Sequence, residues 1–383
     1  MFLPDYVLAP LQRLNDAGEE CFVVGGAVRS ELLHLPVHDY DLATSATPDR
    51  MLEIFSRYRV IKTGIKHGTV SVVSDNHLVE ITTYRSDAPY LDHRHPQGVA
   101  FTRSLREDCA RRDFTVNALC YHPDRGIIDF FEGQKDLENK ILRCIGNPCE
   151  RLDEDALRIL RAIRFAARLG FVIEPNTHNA ILRKKNLLAF ISRERIHDEL
   201  NGFLDAPTVD FLTHTYLPVL QEFMRLEEPL PHLDRAYGYK ARLAALLAND
   251  SAPATQLADL KYSVVETRAI SRMVAHRFLP LKTRADIKKA MNAIEEGFAD
   301  YISFRKVFED LDETKILGIR NEIIAKGECF NLRTLAITGN DVKSLGFVGK
   351  SIANTLSTCL TLVQEDQLPN DKETLLAYAK TLT

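Results

Sequence analysis

Asp39 and Asp41 are the first residues of the sequence whose type and spacing imply chemistry. On an extended strand, residues two apart share a face, so the pair reads as two carboxylates pointing the same way. Such close like charges repel unless a cation sits between them, and hard carboxylate oxygens suit Mg²⁺. Upstream, the apolar run 21–24 reads as a short buried strand. It ends in Gly25-Gly26, where missing Cβ atoms let backbone N–H groups approach a ligand. Residues 27–33 have helical character, which puts the glycines where a helix N-terminus faces an anion. Taken singly, Gly-Gly is a common turn and Asp-x-Asp a common solvated strand end. Strand, Gly-Gly, helix, a turn at Pro36 and Asp-x-Asp in one short unit instead describe a phosphate cradle beside a metal-binding carboxylate pair. That is the equipment of phosphoryl or nucleotidyl transfer.

Further along, the segment EDCARRDFTVNALCY carries Arg111 and Arg112, whose guanidinium forks suit triphosphate oxygens. Asp113 and Asn117 supply hydrogen-bonding groups for ribose hydroxyls. In DEDALRILRAIRFAARLGF, apolar residues recur at helical spacing and predict one amphipathic helix from residue 153 to a stop at Gly170. Asp155 and Arg158 are three apart, Glu154 and Arg158 four apart, so all three fall on one face of that helix. Arg161 and Arg164 continue the spacing toward the nucleotide. The plain alternative is a surface ion pair of roughly 0.3–0.5 kcal/mol. A carboxylate that only accepts, beside a guanidinium that only donates, has a sharper use. Cytosine and adenine each present an amino donor next to a ring acceptor, which matches Asp155 and Arg158. Guanine and uracil place a ring N–H against the arginine, and an unmatched buried donor costs about 1–3 kcal/mol. One pair therefore accepts C and A while rejecting G and U.

These segments resemble, in order, the motifs of the class II tRNA nucleotidyltransferase and bacterial poly(A) polymerase family, within the DNA polymerase beta superfamily. The string GGAVR followed by DYDLAT is similar to the family's opening, with Ser30 where the family has Asp. Arg29, both glycines and both aspartates remain in place. RRDFTVNAL matches the family's R-R-D-F-T-x-N-A, residues 154–158 match E-D-x-x-R, and ISRERIHDEL resembles the short motif that ends the neck. Asp92-His93-Arg94-His95-Pro96, inside the irregular stretch 85–100, resembles the flexible loop of CCA-adding enzymes and argues against a CC-only activity. The resemblance also raises Glu80 as a third metal carboxylate from a neighbouring strand. LAITGNDVKSLGFVGKSIANTL is similar to the family's C-terminal tail, which receives the tRNA elbow.

The elements needed to position these groups divide the chain into a nucleotidyltransferase head (1–145), a helical neck that reads the base (146–205), a helical RNA-binding body (206–330) and a helical tail (331–383). The expected fold is thus α+β, a mixed-sheet head followed by all-helical neck, body and tail. In the head, residues 48–58 read as a helix capped by Thr47, followed by a hairpin turning at Asp75-Asn76. GIIDFFEGQKDLENKILRCIG reads as a strand, a glycine turn and a closing strand. The chain has 383 residues, 45% of them hydrophobic and 27% charged, which excludes general disorder and allows several cores. No apolar run is long enough to span a bilayer. The seven cysteines lack metal-site spacing and read as reduced thiols of a cytoplasmic protein. Net charge is −4, so RNA must be met by local cations. Residues 261–289 hold eight Lys/Arg against two acids, and Arg268, Arg272, Lys282, Arg284, Lys288 and Lys289 are the expected phosphate contacts.

The resemblance implies template-independent addition of CCA to tRNA 3′ ends from CTP and ATP with pyrophosphate release, by a two-metal mechanism in which Asp39 and Asp41 hold two Mg²⁺ ions, with no membrane and no obligate protein partner. Alternatives are a poly(A) polymerase or A-only adding enzyme, a catalytically silent RNA-binding protein, and a small-molecule nucleotidyltransferase, which would not need the long helical tail.

Overall fold

The structure is a computed structural model that describes residues 2–37, 39–87 and 99–382. The chain forms two compact units, Met1–Met224 and Arg225–Thr383.

The first unit begins with helix α1 (Asp5–Asp16), which buries Val7, Pro10, Leu11 and Leu14. Strand β1 (Cys21–Val24) is buried along its whole length. Helix α2 (Gly26–Leu32) leads to β2 (Asp41–Thr44). Helix α3 (Pro48–Ile54) starts where Thr47 accepts a hydrogen bond from the Arg50 amide. Strands β3 (Arg59–Ile61), β4 (Thr69–Ser74) and β5 (His77–Thr83) follow. The β4–β5 turn places Asp75 and Asn76 at positive φ, the conformation a two-residue hairpin loop requires. The stretch expected to lack an element instead begins and ends as a two-stranded antiparallel ribbon, β6 (Arg85–Asp87) with β7 (Val99–Phe101). The Asp92–Pro96 motif lies outside the described residues.

Helix α4 (Leu105–Ala110), a short turn Thr115–Asn117, and strands β8 (Cys120–His122) and β9 (Gly126–Ile128) complete the head. Its seven-stranded sheet runs β3-β4-β5-β2-β1-β8-β9, with β2 and β5 parallel and the other neighbours antiparallel. Phe22, Val24, Ala43, Tyr84, Leu105, Cys109 and Cys120 form a core where α4 lies.

Two expectations need correction after β9. The segment read as a glycine turn is helix α5 (Gly133–Glu138), whose first turn donates to Asp129 from the amides of Gly133 and Gln134. The closing strand β10 (Ile141–Leu142) does not join the head sheet. It pairs in parallel with β11 (Val172–Ile173).

The long helix expected from residue 153 is broken. Helix α6 (Pro148–Glu154) ends at Asp155, which is extended at φ −138° and ψ 103°. Helix α7 (Leu157–Leu169) then runs to Gly170 at φ 67°, the left-handed stop that glycine adopts without steric cost. The Asp155 carboxylate accepts a hydrogen bond from the Leu157 amide at 3.1 Å, so a polar side chain replaces a helical backbone bond there. Helices α8 (Pro175–Lys184) and α9 (Arg193–Leu204) pack around α6 and α7.

The second unit is helical throughout its described elements. Its C-terminal part has its own core of Cys329, Leu335, Ile337, Val342, Phe347, Cys359, Leu360, Val363 and Leu375.

Candidate active site

Strand pairing puts Asp41 at the start of β2, with Val24 of β1 on one side and Glu80 of β5 on the other. Asp39 falls just before the strand rather than on it, yet its charge still acts on Asp41. Both side chains are exposed, as is that of Glu80. The Asp41 carboxyl is pushed up, first by loss of hydration, then by the charge of Glu80, with Asp39 adding to it and Arg112 opposing. Asp39 and Glu80 bring two further carboxylates to Asp41, and such a set of hard oxygen donors is one a divalent cation relieves.

Beside Asp41 lies a cavity of about 400 Å³ lined by Gly25, Gly26, Arg29, Asp41, Arg111, Arg112, Asp113, Asn117, Asp155, Arg158, Arg161 and Phe165. All the predicted nucleotide-binding residues except Arg164 therefore converge on one place. Arg164 turns away and gives its Nε to Glu199 at 2.6 Å.

Gly25 serves a different purpose from the one its sequence suggests. Its amide donates to the Leu119 carbonyl at 3.1 Å, so it is not open to an anion. Its φ is 70°, and a Cβ there would stand 3.0 Å from Arg112 Nη1. The missing side chain makes room for that guanidinium at the cavity wall.

Arg111 and Arg112 follow the last turn of α4, and one buried carboxylate orients both. Asp108 accepts from Arg111 Nε at 3.0 Å and from Arg112 Nη2 at 3.2 Å. Burial alone would raise the Asp108 carboxyl, but the two guanidinium charges and the Arg85 amide hold it below the usual range. Arg151 and Arg158 secure the same turn from the neck. Arg151 donates to the carbonyls of Arg111 and Arg112, the latter at 2.8 Å. Arg158 donates to the Arg111 carbonyl at 3.0 Å, the Arg151 carbonyl at 2.8 Å and Glu154 at 2.7 Å.

Asp113 is saturated. One oxygen accepts from the Phe114 amide at 2.8 Å and Asn117 Nδ2 at 2.9 Å, and the other from Arg161 Nε at 2.9 Å and Nη2 at 2.6 Å. Burial opposes its ionisation, but Arg161 and these bonds outweigh it and lower its pKa. Asn117 in turn accepts from Arg29 Nη1. Burial brings the Arg29 guanidinium down to about 10, against the pull of Asp113, with Arg168, Arg164 and Arg161 adding repulsion.

The expected Asp155–Arg158 pair lines the cavity without a bond between the two side chains; the direct helical partner of Arg158 is Glu154. The second Asp155 oxygen lies 3.4 Å from Arg195 Nη2.

Sequence reasoning missed Phe165. The guanidinium carbons of Arg29, Arg161 and Arg164 lie 5.1, 5.3 and 4.3 Å from its ring centre, so it is the apolar floor between cations. Its spacing four residues beyond Arg161 was the available signal. Asp108 was missed too, although it stands three and four residues before the two arginines it holds.

A mixed sheet with clustered carboxylates at a strand start, opening on an arginine-walled cavity, defines a nucleotidyltransferase. Residues 21–143 match the family model of the poly A polymerase head domain, and residues 170–211 match that of the probable RNA and SrmB-binding site of polymerase A. The chain is 35% identical over 390 residues to the CCA-adding enzyme of Limosilactobacillus fermentum, covering 96% of this chain and 94% of that one. It is 35% identical to that of Streptococcus gordonii, covering 97% and 96%. The crystal structure of the Bacillus stearothermophilus CCA-adding enzyme in complex with CTP superposes with a TM-score of 0.82 at 26% identity, covering 99% and 98%. The chain belongs to the CCA-adding enzyme family. Relatives matched over nearly the whole chain carry that name, which favours CCA addition over the poly(A) and A-only alternatives.

Proposed function

We propose that the chain extends tRNA 3′ ends by C, C and A from CTP and ATP, releasing pyrophosphate, with the cavity beside Asp41 as the nucleotide site. The convergence of Asp41, the two arginines that follow α4 and the arginines of α7 on that cavity is the observation that carries the reading. The complex of the Bacillus relative with CTP supports the substrate class.

Asp39 and Asp41 are assigned to hold two divalent metal ions, taken as Mg²⁺, because their carboxylates stand at the start of β2 within electrostatic reach of each other, with Glu80 paired beside Asp41. When bound, those ions favour the nucleophilic form of the RNA 3′-hydroxyl and neutralise charge on the departing pyrophosphate. Arg111 and Arg112, pre-oriented by Asp108, take the triphosphate, with Arg29, Gly25 and Gly26 shaping its bed. The 3′-oxygen bonds to the α-phosphorus as the α–β bridge breaks. Asp113 and Asn117 stand at the ribose end. With four bonds already on Asp113, a ribose hydroxyl there must exchange with one of them. Asp155 and Arg158 read the base edge, Arg161 holds Asp113, and Arg164 acts through Glu199.

The head, neck, body and tail limits at residues 145, 205 and 330 are proposed as functional divisions, with the tail meeting the tRNA elbow. The location is assigned to the cytoplasm. All seven cysteines are free thiols, and among the described residues no helix is long and apolar enough to cross a membrane.

The test is incorporation on tRNA ending at the discriminator base, with CTP, ATP, both, UTP or GTP. Addition of two C from CTP alone and CCA from the mixture is expected; a run of A from ATP alone would make the enzyme a poly(A) polymerase. In the same assay Arg158→Ala should raise U and G use relative to C by about tenfold or more. It should also slow all four nucleotides, because the Arg111 turn loses a support.

A further inference from the structure

The nucleotide cavity is lined by Gly25 after β1, by α2, by residues 111–113 after α4, by Asn117, by Asp155 and by α7, and it meets Asp41 from one side. On the other side the sheet continues through β5, β4 and β3. The register sets Asp41 beside Glu80, Glu80 beside Ser71, and Ser71 beside Ile61. Leu78, Val73 and Arg59 form the next row. Paired residues share a face, so both rows project from the face that carries Asp41. The opposite face holds Val70, Val72, Val79 and Ile81, all fully buried. On the Asp41 face, Leu78 is 52% exposed and Ile61 38%. At about 4.8 Å per strand, Ile61 lies roughly 14 Å from Asp41.

The border of this open face is basic. Between residues 53 and 75 the chain carries Arg57, Arg59, Lys62 and Lys66 and no acid. All four side chains are exposed, and none forms an ion pair among the described residues. Edge strands often carry cations simply to block pairing with another sheet. Here Arg59 stands in the row of Val73 and Leu78 on the face that carries Asp41, with Arg57 and Lys62 close by in sequence, a placement an edge guard does not require.

We propose that this open half of the sheet is the track for the RNA strand whose 3′ end reacts at Asp41. Arg57, Arg59, Lys62 and Lys66 take its phosphates, and Ile61, Val73 and Leu78 contact its sugar and base surfaces. In-line transfer puts the attacking oxygen opposite the leaving pyrophosphate, so the strand enters from the side away from Arg111 and Arg112. The 14 Å path is about four stacked nucleotides at 3.4 Å per phosphate. The inference rests on the nucleotidyltransferase reading above and adds the RNA's route.

The experiment compares full-length wild type with Arg59→Ala/Lys62→Ala/Lys66→Ala for tRNA binding at several salt concentrations and for incorporation. The variant should lose about tenfold or more in tRNA affinity, with a log–log salt slope shallower by about 2–3. Its KM for CTP should stay within twofold. Leu78→Glu should likewise raise the KM for tRNA and spare that for CTP. The charge-keeping variant Arg59→Lys/Lys62→Arg/Lys66→Arg should bind tRNA as wild type does. Unchanged tRNA affinity and slope in the alanine variant would overturn the proposal. Sedimentation decides between other occupants: gained self-association with intact RNA affinity makes the cations an edge guard, and lost self-association makes the face a subunit contact. The binding arm reads out without turnover, so a wild type that binds tRNA through these cations but incorporates nothing would sink the catalytic reading alone.

Discussion

Arg158 and Arg284 are both held by several partners, but in different kinds of network. Arg158 gives three of its five N–H donors to two main-chain carbonyls and Glu154 at the edge of a cavity. Arg284 bonds Glu328 at 2.6 Å and Glu322 at 3.0 Å. Around it, Lys288 meets Glu328 at 3.1 Å and Asp366 at 2.9 Å, Lys289 meets Glu365 at 2.5 Å, and Arg272 meets Glu295 at 2.6 Å. Four of the six cations expected to contact RNA are thereby consumed within the second unit, and Lys288 is only 3% exposed. Arg284, Lys288 and Lys289 tie the helix Arg284–Ile294 to the end of Lys350–Gln364 and to the end of Glu313–Ala325, while Arg272 ties Val264–Ala275 to Glu295. In the first unit, carbonyls and saturated carboxylates leave arginine edges facing an open volume. Cation density along a sequence does not say which of these arrangements it will enter.

The difference can be broken first at the metal site. Asp41→Asn should reduce incorporation by at least ~10³-fold, about 4 kcal/mol of lost transition-state stabilisation. It should also raise the Tm of the metal-free protein near neutral pH. A group whose folded pKa is raised stabilises the fold below its unfolded pKa and loses that contribution as pH rises through the folded value, so the ionised carboxylate is a cost that Asn removes. Wild-type turnover in this variant would undo the site assignment.

Next comes Arg161→Ala, which strips two bonds from the buried Asp113. Loss of about 1–3 kcal/mol predicts a roughly 5–150-fold drop in kcat/KM for CTP, measured by single-turnover incorporation. An equal loss for dCTP would show that Asp113 has no part in choosing ribose.

In the second unit the same kind of change should register as stability. Lys288→Ala is expected to cost about 1–3 kcal/mol, since Arg284 still neutralises Glu328. A fall in Tm of roughly 2–4 °C per kcal/mol should follow, with KM for CTP unchanged. Acid should act on the same cluster: the Arg284 hydrogen bond, with help from Lys288, brings Glu328 down to about 2. A depressed carboxylate contributes above its ordinary value of 4.5 and loses that contribution as pH falls toward 2, so wild type should lose stability faster than Glu328→Gln across that window.

The smallest effect is reserved for Arg272→Ala. Its partner Glu295 is exposed, so the pair adds little to stability and Tm should barely change, and the salt slope of tRNA binding should not move. A slope reduced by about 0.7–0.9 would return Arg272 to the RNA surface.

Local chain chemistry is what the sequence by itself determined. Strand β1, the Thr47 cap, the Asp75-Asn76 turn and the stop at Gly170 each depend on a few neighbouring residues, and each stands where the sequence puts it. The order of the motifs likewise sufficed to bring Arg29, Arg111, Arg112, Asp155 and Arg158 to one cavity. Tertiary structure decided everything that hinges on a distant partner. Asp155 leaves the helix because its carboxylate can take the Leu157 amide and approach Arg195. Asp113 is filled by an arginine 48 residues away. Lys288 is neutralised across 78 residues by Asp366. A charge shows in the sequence, but its worth depends on hydration and on the nearest opposite charge, and both are set by packing between segments that composition and spacing do not relate.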